Sequence, residues 1–127
     1  TSAETNQKQM GVGTSFGDFG FKYATNTDTT KTTAGGESSK IDTANYGVSY
    51  GGIENVSLYF DGTSSEEKTG TNSGDKLTGQ SYGLTYTIAP GASVLVEFTN
   101  SDYTDATAGG TNTDGRDTTA VSLNVSF

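Results

Sequence analysis

Residues 80–88, with the sequence QSYGLTYTI, place an apolar side chain at every second position from Tyr82 to Ile88. Neighbouring side chains of a β-strand point to opposite faces, so this pattern predicts a strand with one apolar and one polar face. No segment of the chain has apolar residues at helical spacing, and its abundant Thr, Ser, Asn and Gly are weak helix formers. The chain is therefore predicted to be all-β.

Six further segments alternate in the same way, and the seven together predict an antiparallel sheet. They lie at about 7–16, 19–25, 43–51, 55–61, 93–100 and 117–127. Three connections are short and contain Gly, Asp or Pro, which suit tight turns: Gly17-Asp18, Gly52-Ile53-Glu54 and Ala89-Pro90-Gly91-Ala92. The other three are polar and roughly 16–18 residues long: Asn26–Asp42, Gly62–Gly79 and Ser101–Arg116. Short turns at one end and long loops at the other are typical of transmembrane β-barrels.

Aromatic residues are sorted by height along the predicted hairpins. Those near the short turns are Phe16, Phe19, Tyr50 and Phe127. Those toward the long loops are Tyr23, Tyr46, Phe60, Tyr82 and Phe98. Aliphatic residues such as Val48 and Leu84 lie between the two groups. Two aromatic girdles around an aliphatic band are a feature of barrels in lipid. A soluble β-sandwich also alternates, but it has no reason to sort its aromatics by height.

Charge and composition argue against several classes of function. The formal net charge of −8 disfavours nucleic acid as a partner, since phosphate binding needs a basic surface. The chain has no His and no Cys, which removes the usual general base, thiolate metal sites and the Ser-His and Cys-His catalytic pairs. We therefore predict neither an enzyme nor a cofactor.

Three charged residues fall on the polar face of the predicted strands: Lys22, Asp61 and Glu97. They are the candidate pore-lining residues, because opposed charges in a pore tune ion selectivity. The alternative is that they are solvated wall residues without a selective role.

A candidate metal site lies in the last long loop, where oxygen-bearing residues alternate around a glycine as in part of a calcium loop. Its ligands would be Asn112, Asp114 and Asp117. The segment lacks the downstream Glu of an EF-hand loop and contains Arg116, which favours a solvated loop and no bound metal.

The ending TAVSLNVSF, residues 119–127, resembles the terminal strand of Gram-negative outer-membrane proteins, which ends in an aromatic residue preceded by alternating hydrophobic positions. The residues that match this assembly signal are Val121, Leu123, Val125 and Phe127, although Val125 stands where the family often has an aromatic. With the YGLTY and PGA segments at 82–92, nearly the whole chain resembles the C-terminal part of a general diffusion porin, of the alphaproteobacterial kind.

The resemblance implies a water-filled pore for passive diffusion of small hydrophilic solutes and ions. It also implies location in the bacterial outer membrane, contact with outer-membrane lipid and a homotrimer. Seven strands are an odd number, whereas single-chain barrels of this class have an even one. Residues 1–127 are therefore predicted to be the C-terminal segment of a single barrel domain of about 16 strands, completed by the remaining strands of the parent chain. The alternatives are a small structural or adhesive outer-membrane barrel and a secreted all-β, adhesin-like sandwich.

Replacing the terminal aromatic should impair delivery more than stability. In Phe127→Ser the free energy of unfolding should fall by only about 1–3 kcal/mol, the contribution of one apolar side chain. The amount of folded, heat-modifiable protein in outer-membrane fractions should fall much further, because a recognition contact is lost before the fold exists. Refolding yield in detergent serves as the control, and normal membrane levels of the variant would contradict the assembly role.

Overall fold

The computed structural model describes residues 4–31, 37–70, 72–106 and 112–126. Within these ranges the chain forms one antiparallel sheet, whose strands lie side by side in chain order, and no helix. The strands are β1 (Glu4–Phe16), β2 (Phe19–Lys31), β3 (Glu37–Ile53), β4 (Val56–Thr69), β5 (Lys76–Ala89), β6 (Ala92–Asp105) and β7 (Asn112–Val125). The all-β antiparallel fold and the number of strands are as predicted.

The three long loops predicted from the sequence are wrong, because the strands continue into them. Strand β2 runs on from the predicted end near residue 25 to Lys31, and β3 begins at Glu37 instead of near residue 43. Polar pairs join the extensions across the sheet: Thr27 Oγ1 donates to Asp42 Oδ1 at 2.8 Å, and the hydroxyls of Thr43 and Ser65 lie 2.9 Å apart. Both faces are polar in these segments, so the period-two signal disappears while the β-propensity of Thr remains.

The short connections are tight turns, although one differs from the prediction. Gly17 and Gly91 have φ of 58° and 81°, a left-handed conformation that glycine adopts at no steric cost. Between β3 and β4 the turn falls on Glu54 and Asn55 instead of starting at Gly52. Asn55 supplies the left-handed residue with φ 61°, while a register shift between Tyr50 and Ile53 absorbs the two glycines there.

The sheet is a single layer, and no apolar side chain among the described residues is buried. Strand β1 pairs only with β2, and β7 pairs only with β6, so each outer strand has one neighbour within the described ranges. Across those ranges, no helix has the length and apolar character needed to span a membrane.

The turn between β5 and β6 should be sensitive to a side chain at its glycine. Gly91→Ala should lower the free energy of unfolding by about 1–2 kcal/mol, because an L-residue is strained at positive φ. A β-carbon there would also lie 2.8 Å from the carbonyl oxygen of Ser126. Gly51→Ala is the matched control, because its β-carbon meets nothing within 4 Å and its φ is not positive. Equal losses in both variants, measured by chemical denaturation and circular dichroism, would contradict the role assigned to the turn.

Candidate functional site

The register of the sheet divides the side chains into two faces, because directly paired residues of neighbouring strands point to the same side. One face is apolar across all seven strands. One of its rows consists of Thr14, Phe21, Val48, Phe60, Tyr82, Phe98 and Thr119. The next row toward the short turns consists of Phe16, Phe19, Tyr50, Leu58, Leu84, Val96 and Val121.

All described residues of the two predicted aromatic girdles lie on this apolar face. Their rings contact one another along the rows, with centroids 4.7 Å apart for Phe19 and Tyr50 and 5.4 Å apart for Tyr82 and Phe98. Between β3 and β5, the aromatic residues of both girdles shift by one row toward the short turns. Tyr86 lies one row nearer the short turns than Tyr50, and it continues on β5 the girdle at the short-turn end. Such a shift is expected where strands are inclined to the plane that the aromatics mark.

On β1 to β5, the apolar face carries no charge between the short turns and a row near the other end of the strands. This charge-free band runs from Ala44 to Tyr50 on β3 and from Thr78 to Ile88 on β5. Beyond it, a row on the same face becomes charged, and it consists of Lys8, Thr27, Asp42, Glu66 and Lys76. On β6 and β7 the boundary lies nearer the short turns, because Asp102 and Asp117 are on the same face.

The opposite, polar face holds the three charged residues predicted from the sequence. Lys22 Nζ lies 2.8 Å from Asp61 Oδ1, and the side chains are 66 % and 40 % exposed. An ion pair this exposed contributes little to stability. Glu97, one row away, accepts a hydrogen bond from the hydroxyl of Tyr59. Sequence reasoning missed Tyr59 as a site residue, although an aromatic on the polar side of an alternating segment was a signal for it.

Small residues dominate the polar face, and acidic residues outnumber basic ones there. Its larger aliphatic residues are Ile41, Leu77 and Leu95. Among described residues, its cations are Lys22 and Arg116. Its carboxylates, six in number, are Asp28, Asp61, Glu67, Glu97, Asp105 and Asp114. The face therefore has an excess of negative charge.

The candidate metal ligands do not converge. Asp114 and Asp117 lie on opposite faces of β7, the strand that Asn112 begins, and Asp117 accepts a hydrogen bond of 2.7 Å from the Asn100 amide. No group of three acidic, His or Cys residues is placed to hold a metal ion within the described ranges. Of the predicted assembly signal, Val121, Leu123 and Val125 are exposed on the apolar face. Phe127 lies outside the described residues.

A buried carboxylate that the sequence did not reveal organises the β4–β5 connection. Asp75 accepts hydrogen bonds from the Tyr103 hydroxyl at 2.7 Å and from the Ala106 amide at 2.9 Å. The Glu67 amide donates to the Asp75 carbonyl, and the Gly74 amide donates to the Glu67 carbonyl. These bonds attach the connection to the end of β6, beyond the charge-free band.

The comparisons with known proteins produced no match to a family model, to a curated protein or to a solved structure. Function therefore has to be inferred from the two faces of the sheet. The apolar face, the polar face and the two outer strands each restrict what can surround this chain.

The hydrogen bond to Asp75 raises the pKa of Tyr103 above its ordinary value of 10.0. Asp75→Asn should lower that pKa in an absorbance titration of the tyrosines, with Tyr103→Phe identifying the step. Stabilisation by this bond is complete below the unfolded pKa of Tyr and is lost as pH rises through the raised folded pKa, above about pH 10. An unchanged titration in Asp75→Asn would contradict the coupling.

Proposed function

We propose that this chain forms part of the wall of an outer-membrane porin, a β-barrel through which small hydrophilic solutes and ions diffuse passively. The observation that carries the proposal is one sheet with an uncovered apolar face on one side and a polar face of small residues on the other. The resemblance of residues 119–127 to an outer-membrane terminal strand agrees with it.

The apolar face needs a cover that the described residues do not provide. Met10, Val12 and Leu123 are each more than 60 % exposed. Removing one such side chain from water is worth about 1.5–3 kcal/mol, and soluble monomers rarely leave apolar patches of this extent exposed. Lipid would supply the cover. The charge-free band is 11 residues long on β5, from Thr78 to Ile88, which matches the 9–11 residues that a tilted strand needs to cross a bilayer, and seven residues long on β3, from Ala44 to Tyr50.

The two outer strands support a barrel larger than this sheet. Unpaired backbone groups at an open edge are prohibitively costly in lipid, so β1 and β7 need neighbours. With seven antiparallel strands, β1 and β7 run in the same direction. An all-antiparallel closure therefore requires an odd number of further strands. About nine would complete the barrel of about 16 strands that the sequence predicts.

The polar face has the properties of a wet lumen. Its small Gly, Ser and Thr residues leave space for water, and its excess of carboxylates favours cations over anions. Lys22, Asp61 and Glu97 are the proposed pore-lining residues. The homotrimer and the outer-membrane location remain predictions from the resemblance.

The test uses protein purified from membranes and reconstituted in planar lipid bilayers. We expect stepwise, voltage-tolerant conductance and, under a KCl gradient, a reversal potential of the cation-preferring sign. Glu97→Gln should move that potential toward zero, because it removes a lumenal negative charge. The matched control is Asp18→Asn, which removes a carboxylate from a turn at the end of the wall.

The results that would contradict the porin are equally concrete. A protein that stays folded and monodisperse in buffer without detergent would favour the secreted sandwich. A detergent-dependent protein that never conducts would favour the structural or adhesive barrel. Equal shifts in Glu97→Gln and Asp18→Asn would contradict the lumenal position of Glu97.

A further inference from the structure

Two long side chains on the polar face each cross a whole strand to reach their partners. Lys22 on β2 passes over β3 and pairs with Asp61 on β4. Tyr59 on β4 passes over β5 and donates its hydroxyl to Glu97 on β6. The same arrangement is thus repeated along the wall, with β4 contributing one member to each pair.

A glycine lies under each crossing. A β-carbon at Gly47 would overlap both the Asp61 carboxylate and the Lys22 side chain, and one at Gly83 would lie 2.5–2.7 Å from three atoms of the Tyr59 phenol. Neither glycine has a positive φ, so neither is required by the backbone conformation. What the two positions require is empty space above the strand, which only glycine leaves.

Any larger residue at these positions would push the crossing side chain away from the sheet. The atoms in the way belong to side chains that rotate freely, so the strand itself can stay in place. The displaced Lys22 or Tyr59 would then point away from the wall, into the space in front of the polar face. In a pore that space is the path of the solute.

We propose that Gly47 and Gly83 are positioning residues that let the pairs Lys22–Asp61 and Tyr59–Glu97 lie flat against the wall, and so set the open width of the pore. The effect on solutes rests on the proposed function. The flat placement of the pairs does not depend on the proposed function, and it can be measured separately.

The chain offers a matched control in the same row of the sheet. Gly13, Lys22, Gly47 and Asp61 are neighbours in register on the polar face. A β-carbon at Gly13 would meet only the Phe21 carbonyl oxygen at 3.6 Å, an ordinary contact. Gly47→Ala and Gly13→Ala therefore add the same methyl group to the same row, with and without a crossing side chain above it.

The first measurement does not depend on conduction. A carbodiimide joins an amine to a carboxylate only when the two are in contact, and mass spectrometry of the purified, folded protein identifies the product. We expect a Lys22–Asp61 cross-link in the unaltered protein and in Gly13→Ala, and a clear loss of it in Gly47→Ala. A cross-link that is absent from the unaltered protein, or that persists in Gly47→Ala, would overturn the proposal.

The second measurement is single-channel conductance together with uptake of solutes of increasing size. Gly47→Ala should lower conductance and slow large solutes more than small ones, and Gly13→Ala should change neither. The double variant Gly47→Ala/Lys22→Ala should recover the conductance, because the displaced side chain is gone. A lost cross-link with unchanged conductance and size limit would overturn the assignment of pore width.

The two failures can be told apart. Absence of conductance in the unaltered protein would refute the porin, while the cross-link would still decide whether Gly47 lets the pair lie flat. Heat-modifiability in gels checks that each variant folds. If Gly47→Ala does not fold, Gly83→Ala makes the same test on another strand, where the Tyr59 ring is the obstructed group and Gly83→Ala/Tyr59→Ala is the rescue.

Discussion

Backbone hydrogen bonds between neighbouring strands hold the described part of this chain together, because no buried apolar core is there to do so. In a soluble domain the main stabilising contribution comes from apolar area that the chain buries against itself. Here the sheet leaves that area exposed. In the proposed porin, the girdles, the charge-free band and the small residues of the polar face follow from lipid on one side of the layer and water on the other.

The sequence predicted the sheet well where one face differs from the other. Residues 80–88 alternate cleanly, and β5 is found there with Tyr82, Leu84 and Tyr86 on one side. The prediction failed where both faces are polar, as in residues 26–31, because a strand with polar side chains on both faces has no period to detect. The turn at Glu54–Asn55 was displaced for a related reason. Two glycines resemble a turn in the sequence, yet they are absorbed by a register shift.

The site shows the same division between what a pattern can and cannot reveal. The alternation of side chains along each strand was enough to predict that Lys22, Asp61 and Glu97 lie on one face, and the register of the sheet agrees. The alternation could not show that Lys22 pairs with Asp61 two strands away, since this ion pair depends on Gly47 and on the register between three strands. Asp75 was equally hidden, because a buried carboxylate whose donors are Tyr103 of a distant strand and Ala106 just after it has no local sequence signal.

The chain order of the strands has a consequence for how such a sheet comes into being. Every pairing joins strands that are neighbours in the sequence. Contacts between sequence neighbours need little loop-closure entropy, and a two-residue turn such as that at Gly17 and Asp18 needs the least. The hairpins β1–β2, β3–β4 and β5–β6 can therefore form first. The sheet can then grow by pairing hairpins that are neighbours in the sequence, without contacts between distant parts of the chain. In the proposed barrel, the slow step comes at the end of assembly, when β1 and β7 pair with further strands.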